Sequence, residues 1–317
     1  MAICAIIVYS PLPNWGRRIG MPQADANGIK IEYETFGNPT DRPLLLIIGL
    51  GGQLLQWEEN LCRDLAARGH FVIRYDNRDT GLSTRFDAAG EPDIMAALEK
   101  IMGGDKCVAA YTMEDMADDA AGLLDALNIP AAHICGMSMG GMIAQTLAIR
   151  HPARVLSLIS IYSTTGNPRL PQPRPDVLGA LLTPPPAEKE ASIEHMLRLF
   201  KMIAGPGFPF DEEWTRRTTA ASYDRGFYTP GVARQLLAIL TQKDRTEALA
   251  SVKAPTLVVQ GTDDPLVPAE GGKATAAAVP GAKLMLIEGM GHDLPHGGAW
   301  PEIVEAIAAH TRKAASV

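Results

Sequence analysis

Cysteine is scarce in this chain, and long apolar runs and an excess of basic charge are missing. Cys4, Cys62, Cys107 and Cys135 are the four cysteines among 317 residues, and none is paired at metal-ligand spacing. A disulfide framework or zinc module is therefore excluded as the organising device, and free thiols in a reducing cytoplasm are expected. No stretch reaches the roughly 18 apolar residues that a membrane span requires. Lys and Arg number 29 against 36 Asp and Glu, a net charge of −7. That balance argues against nucleic acid or an anionic membrane as partner. Aromatic residues make up 6% of the chain, so any place where they gather is informative.

The N-terminus is apolar but lacks the features of a leader. No basic segment precedes Met1 to Ser10, Arg17 and Arg18 follow it, and Pro11-Leu12-Pro13 stands where a small-residue cleavage site would be. Residues 1–20 are read as an extension upstream of the domain and are assigned no function.

From Ile29 onward, apolar runs of strand length alternate with helical patterns. Ile29 to Phe36 alternates in polarity, as a half-exposed strand does. Leu44 to Ile48 is an unbroken apolar run, and Phe71 to Tyr75, Ala132 to Cys135, Val155 to Tyr162 and Thr256 to Gln260 are mostly apolar stretches of strand length. Such runs suit strands buried on both faces of a parallel sheet. Helices are expected from Thr112 to about Leu127, Met139 to Arg150, Glu270 to Val279 and Trp300 to about Ala314, and one carrying Trp57, Leu61 and Leu65. The fold class is α/β, a doubly wound, mostly parallel sheet. The alternation breaks between Thr164 and Ala250, where a proline-rich run precedes three helical stretches. This segment is read as an inserted helical cap, 164–250, on a core of 21–163 and 251–317. It holds Met196, Phe200, Phe208 and Trp214, several of which are expected to line an apolar pocket.

The stretch Gly136-Met137-Ser138-Met139-Gly140 lies between a strand and a helix. A serine at the apex of so sharp a turn is forced into a strained backbone, and the flanking glycines let neighbouring chain pass closely. The hydroxyl is then exposed at the carboxyl edge of the sheet, with a helix N-terminus beneath it. Serine is a weak nucleophile and needs an oriented base. His292 follows the final strand in Gly289-Met290-Gly291-His292 and is the favoured base, with His296 its nearest rival. Asp264, in the turn Gly261-Thr262-Asp263-Asp264, is favoured over Asp263 as the acid. Oxyanion donors are expected from the backbone amides of Met139 and Leu50, the latter in Gly49-Leu50-Gly51-Gly52. Gly51 and its neighbour would leave room for a bulky substrate part. Asp76, Arg78, Asp79 and Ser83 are read as a bracing turn.

These motifs and the insertion together resemble the α/β-hydrolase superfamily. The run from Arg74 to Thr84, the Gly49-Leu50-Gly51-Gly52 strand end and the Gly-Met-Gly-His loop are similar to the branch that contains aclacinomycin methylesterase. Serine esterases that open macrolide lactones are related to that branch. Ile48 departs from the pattern, standing where many members carry the His of a His-Gly pair. The resemblance implies ester hydrolysis through an acyl-enzyme, with no cofactor or metal. The implied partner is a small-molecule ester or lactone, and the implied state a monomer or small homo-oligomer. A generalist esterase, a carbon–carbon bond hydrolase or perhydrolase, and a ligand receptor with a slow triad remain open.

Overall fold

The computed structural model describes residues 22–314. The extension expected at 1–20, with Cys4, lies outside the described residues. Among these, eight strands form one sheet in the order β1-β2-β4-β3-β5-β6-β7-β8. The strands are β1 (Gln23–Ala26), β2 (Ile29–Phe36), β3 (Arg42–Ile47), β4 (His70–Tyr75), β5 (Ala132–Met137), β6 (Val155–Ile161), β7 (Thr256–Gly261) and β8 (Lys283–Ile287). β1 and β2 pair antiparallel, β2 pairs antiparallel with β4, and every later pairing is parallel.

The apolar stretches form the central strands. Leu44, Leu45, Leu46 and Ile47 of β3 are each 0% exposed, because helices cover both faces of the sheet. One face carries α3 (Met113–Ala126), α4 (Met139–Arg150) and α10 (Ala269–Ala278). The other carries α1 (Glu59–Ala67) and α11 (Trp300–Ala314), whose apolar sides meet Leu44, Leu46 and Val259. α3 starts at Thr112 through a reciprocal cap with Asp115, which satisfies two backbone donors that would otherwise lack partners.

Two local features differ from the expectations. β1 is absent from the sequence reading because it is only four residues long. Its signal was Asn27-Gly28, both at positive φ (49° and 79°), the dipeptide that closes a two-residue hairpin. Trp57 was expected on a helix but stands before α1, buried, after a single tight turn at Leu54–Gln56. Asp76 Oδ1 accepts the Leu54 amide at 2.8 Å and fixes that turn instead.

Between β6 and β7 the chain runs through α5 (Pro175–Leu182), α6 (Lys189–Ile203), α7 (Glu212–Gly226), α8 (Thr229–Leu240) and α9 (Thr246–Leu249). α5 falls inside the proline-rich run and was not foreseen. Pro175 occupies its first turn, where a missing N–H costs nothing. α2 (Ile94–Met102) lies in the long connection between β4 and α3.

Candidate active site

Ser138 sits between β5 and α4 at φ 55°, ψ −123°, a conformation that costs a non-glycine residue free energy. The neighbouring glycines make the turn possible. A Cβ on Gly136 would come 2.0 Å from the Gly140 carbonyl oxygen, and one on Gly140 would come 2.1 Å from that of Ile47. Hydrogen bonds hold the strained residue: its amide donates to Ile161 O at 3.0 Å, and Ser163 Oγ donates to its carbonyl at 2.8 Å.

The three residues singled out in the sequence meet at the carboxyl edge of the sheet. Ser138 Oγ lies 2.9 Å from His292 Nε2, and His292 Nδ1 lies 2.7 Å from Asp264 Oδ2. A carboxylate can only accept, so Nδ1 carries the proton and Nε2 is left to accept from the serine hydroxyl. Asp264 is itself fixed, its Oδ1 accepting the amides of Leu266 at 2.9 Å and Val267 at 2.8 Å. Asp263 points elsewhere; its Oδ2 accepts from the Thr262 hydroxyl at 2.6 Å and the Gly289 amide at 3.2 Å. The His292 amide donates to Ile203 O at the end of α6, at 2.8 Å. A Cβ on Gly205 would come 2.1 Å from Gly289 O, so the segment after α6 packs backbone to backbone on the histidine loop.

Gly49 lies beside the serine: a Cβ there would come 3.6 Å from Ser138 Oγ. Among the described residues, neither the Leu50 nor the Met139 amide donates to another protein group. The turn from Asp76 to Ser83 braces this region. Asn77 Nδ2 donates to Ile48 O at 3.0 Å, and Ser83 Oγ donates to Asp76 O at 2.7 Å. Arg78 pairs with Asp119 and Asp79 with Arg234 of α8, all four buried.

A cleft of about 830 Å³ of empty space, part of it open to solvent, runs from His292 to the insertion. Phe200 and Trp214 line it; Met196, Phe208 and Gly51 do not. Met196 is half-buried on α6, while the Phe208 ring fills the place where a Cβ on Gly298 would be, at 2.0 Å. Gly51 is turned into the protein, its amide donating to Gln235 Oε1 at 2.9 Å.

Several lining residues were missed by the sequence reading. The Tyr162 ring stands 4.5 Å from that of His292, and its place at the end of β6 was the available signal. Asp293, next to the histidine, is raised by burial to about 6. His296, the rival base, belongs to the cleft but not to the serine. Its Nε2 lies 3.1 Å from Glu58 Oε2, and its ring meets Trp214 and Trp300 edge to face at 4.5 and 4.7 Å. Burial lowers the His296 imidazolium and pushes Glu58 up to about 7. Among the described residues, no group of three or more His, Cys, Asp or Glu side chains is placed to hold a metal ion. None of the described helices is long and apolar enough to cross a membrane.

A family described as the alpha/beta hydrolase fold matches residues 42–299. The chain belongs to that family. This α/β hydrolase is 34% identical over 301 residues to rhodomycin D methylesterase DauP of Streptomyces sp. (strain C5), with 89% of this chain and 94% of the relative covered. It is 33% identical to rhodomycin D methylesterase DnrP of Streptomyces peucetius, with the same shares covered. Among solved structures it is similar to the meta-cleavage product hydrolase CumD of Pseudomonas fluorescens IP01, at a TM-score of 0.69. That match is 21% identical and covers 92% of this chain and 98% of the other, a likeness of fold alone.

Proposed function

We propose that this α/β hydrolase is a serine-dependent carboxylic ester hydrolase acting through an acyl-enzyme. The observation that carries the reading is the unbroken relay from Ser138 Oγ through His292 to Asp264, at 2.9 and 2.7 Å. In this reading His292 Nε2 takes the serine proton as Oγ attacks the ester carbonyl, and the tetrahedral oxyanion is held by the amides of Leu50 and Met139. The protonated imidazole gives its proton to the leaving alcohol, and the acyl-enzyme forms. Water, deprotonated by the same nitrogen, then releases the acid and regenerates Ser138. Asp264 holds the tautomer throughout.

The helices between β6 and β7 act as a cap on the core, with Phe200 and Trp214 contacting the substrate. A bulky ester is the favoured substrate. The methylesterase names of the two relatives support a methyl ester ahead of a macrolide or polyketide lactone.

The test is mass spectrometry of a mixed panel of esters and lactones incubated with wild type and Ser138→Ala. Conversion of a bulky methyl ester and one water to the free acid and methanol with the wild type alone supports the reading. Gain of one water by an intact lactone moves the substrate to the macrolide class. Turnover that survives in Ser138→Ala removes the mechanism.

A further inference from the structure

One fully buried side chain of the insertion takes no part in the relay, yet it grips the backbone beside it. Gln235 of α8 is 0% exposed. Its Oε1 accepts the Gly51 amide at 2.9 Å, and its Nε2 donates to Arg78 O at 2.7 Å. Both ends of one carboxamide are thereby committed to two separate loops at the carboxyl edge of the sheet.

The turn it reaches needs such a restraint. Gly51 sits at φ 64°, in the region open to glycine, and glycine offers the backbone no steric barrier of its own. The rest of the turn is fixed at other points. Gly52 N donates to Gly49 O at 3.2 Å, Asn77 Nδ2 to Ile48 O at 3.0 Å and Leu54 N to Asp76 Oδ1 at 2.8 Å. Between those points the Leu50–Gly51 peptide is tied by Gln235. Rotation of that peptide would be followed by its neighbour, which carries the Leu50 N–H.

α8 is itself locked in register. Arg234, the preceding residue, donates to both carboxylate oxygens of Asp79 from Nε and Nη2, each at 2.8 Å, in a buried contact. A Cβ on Gly231 would come 2.1 Å from Asp79 O, and one on Gly51 would come 3.0 Å from Val232 Cγ2. The helix therefore delivers the carboxamide to a fixed place.

We infer that Gln235 is a positioning residue for the oxyanion donor Leu50, so that a helix of the insertion completes the geometry of the hydrolytic centre. The inference rests on the esterase reading above. Donors act on a developing oxyanion only when they are already aimed, and removal of one costs about 10²–10³ in kcat. Loosening one costs less, so a loss of about 10- to 100-fold is expected here.

The experiment uses the full chain and a small ester that the wild type hydrolyses. Gln235→Met keeps length and volume but removes both hydrogen bonds. Its kcat should fall about 10- to 100-fold with KM near wild type, and affinity for a trifluoromethyl ketone analogue of the tetrahedral intermediate should fall by a similar factor. Gln235→Glu keeps an acceptor for the Gly51 amide and should recover part of the lost kcat. If the Met variant does not fold, Gln235→Asn, polar but one methylene short, carries the same measurements. Wild-type kcat and analogue affinity in a folded Met or Asn variant, even one with a lowered Tm, overturns the assignment. A wild type with no Ser138-dependent turnover strikes the esterase reading instead.

Discussion

The two ends of the cleft are built on different principles. At the sheet edge, residues are held by directional hydrogen bonds: the Asp264 carboxylate by two amides, the Ser138 backbone by Ser163 Oγ and Ile161 O, and the His292 amide by Ile203 O. At the insertion end, Trp214, His296 and Trp300 meet ring against ring or ring against carboxylate, and Phe200 lines the same cleft. Directional contacts to backbone allow one geometry, as proton transfer requires. Aromatic packing fixes area and shape more loosely, as a recognition surface can tolerate. The segment after α6 packs on the histidine loop, and α8 holds the backbone of Gly51 and Arg78, so the insertion also steadies the sheet edge.

Substitutions at the edge should break this contrast most severely. Asp264→Asn should lower kcat about 10³- to 10⁴-fold by presenting the wrong histidine tautomer, while Asp263→Asn, outside the relay, should stay near wild type. Steady-state kinetics of the pair decide it, and the reverse order would move the acid to Asp263. At the other end, Trp214→Ala should raise KM for a bulky ester about tenfold, the worth of roughly 1–2 kcal/mol of apolar contact, with kcat little changed. Met196→Ala, off the cleft, should leave KM alone. Equal effects of the two on KM would mean that the cleft is not where the substrate sits.

The smallest effect sharpens the electrostatics of the insertion end. Burial raises Glu58 from 4.5 to about 7. A carboxyl with a raised folded-state value binds more protons folded than unfolded between those limits. Its contribution to stability is present below pH 4.5 and is lost as pH rises through about 7. Glu58→Gln should flatten that decline, by about 2–4 °C in Tm at pH 7 relative to wild type. Melting curves at pH 4.5 and 7 read it, and an unchanged slope would show that Glu58 ionises without cost.

How much of this was legible beforehand follows from the range of the interactions. The parallel core could be read because strands buried on both faces must be apolar throughout, as Leu44–Ile47 are. Ser138 could be read because Gly136 and Gly140 answer to backbone approaches of 2.0 and 2.1 Å that no other residue survives. Asp264 and His292 could be placed because each follows a strand end that topology brings to one edge. The aromatics between β6 and β7 were legible only as a composition. Phe200 and Trp214 were expected in the cleft and line it, whereas Met196 and Phe208 do not. Helical periodicity gives the face of a residue on its own helix, not the partner that face will meet.

The sequence by itself therefore determined the architecture and the three side chains that meet at the sheet edge, because period, glycine sterics and turn residues act over a few positions of chain. Tertiary structure alone decided the environment. It raised Glu58 by burying it, drew His296 away from the serine and toward Glu58, and brought Gln235 to Gly51 across 184 positions. Those outcomes depend on which surfaces exclude water together, and no local pattern in the chain carries that information.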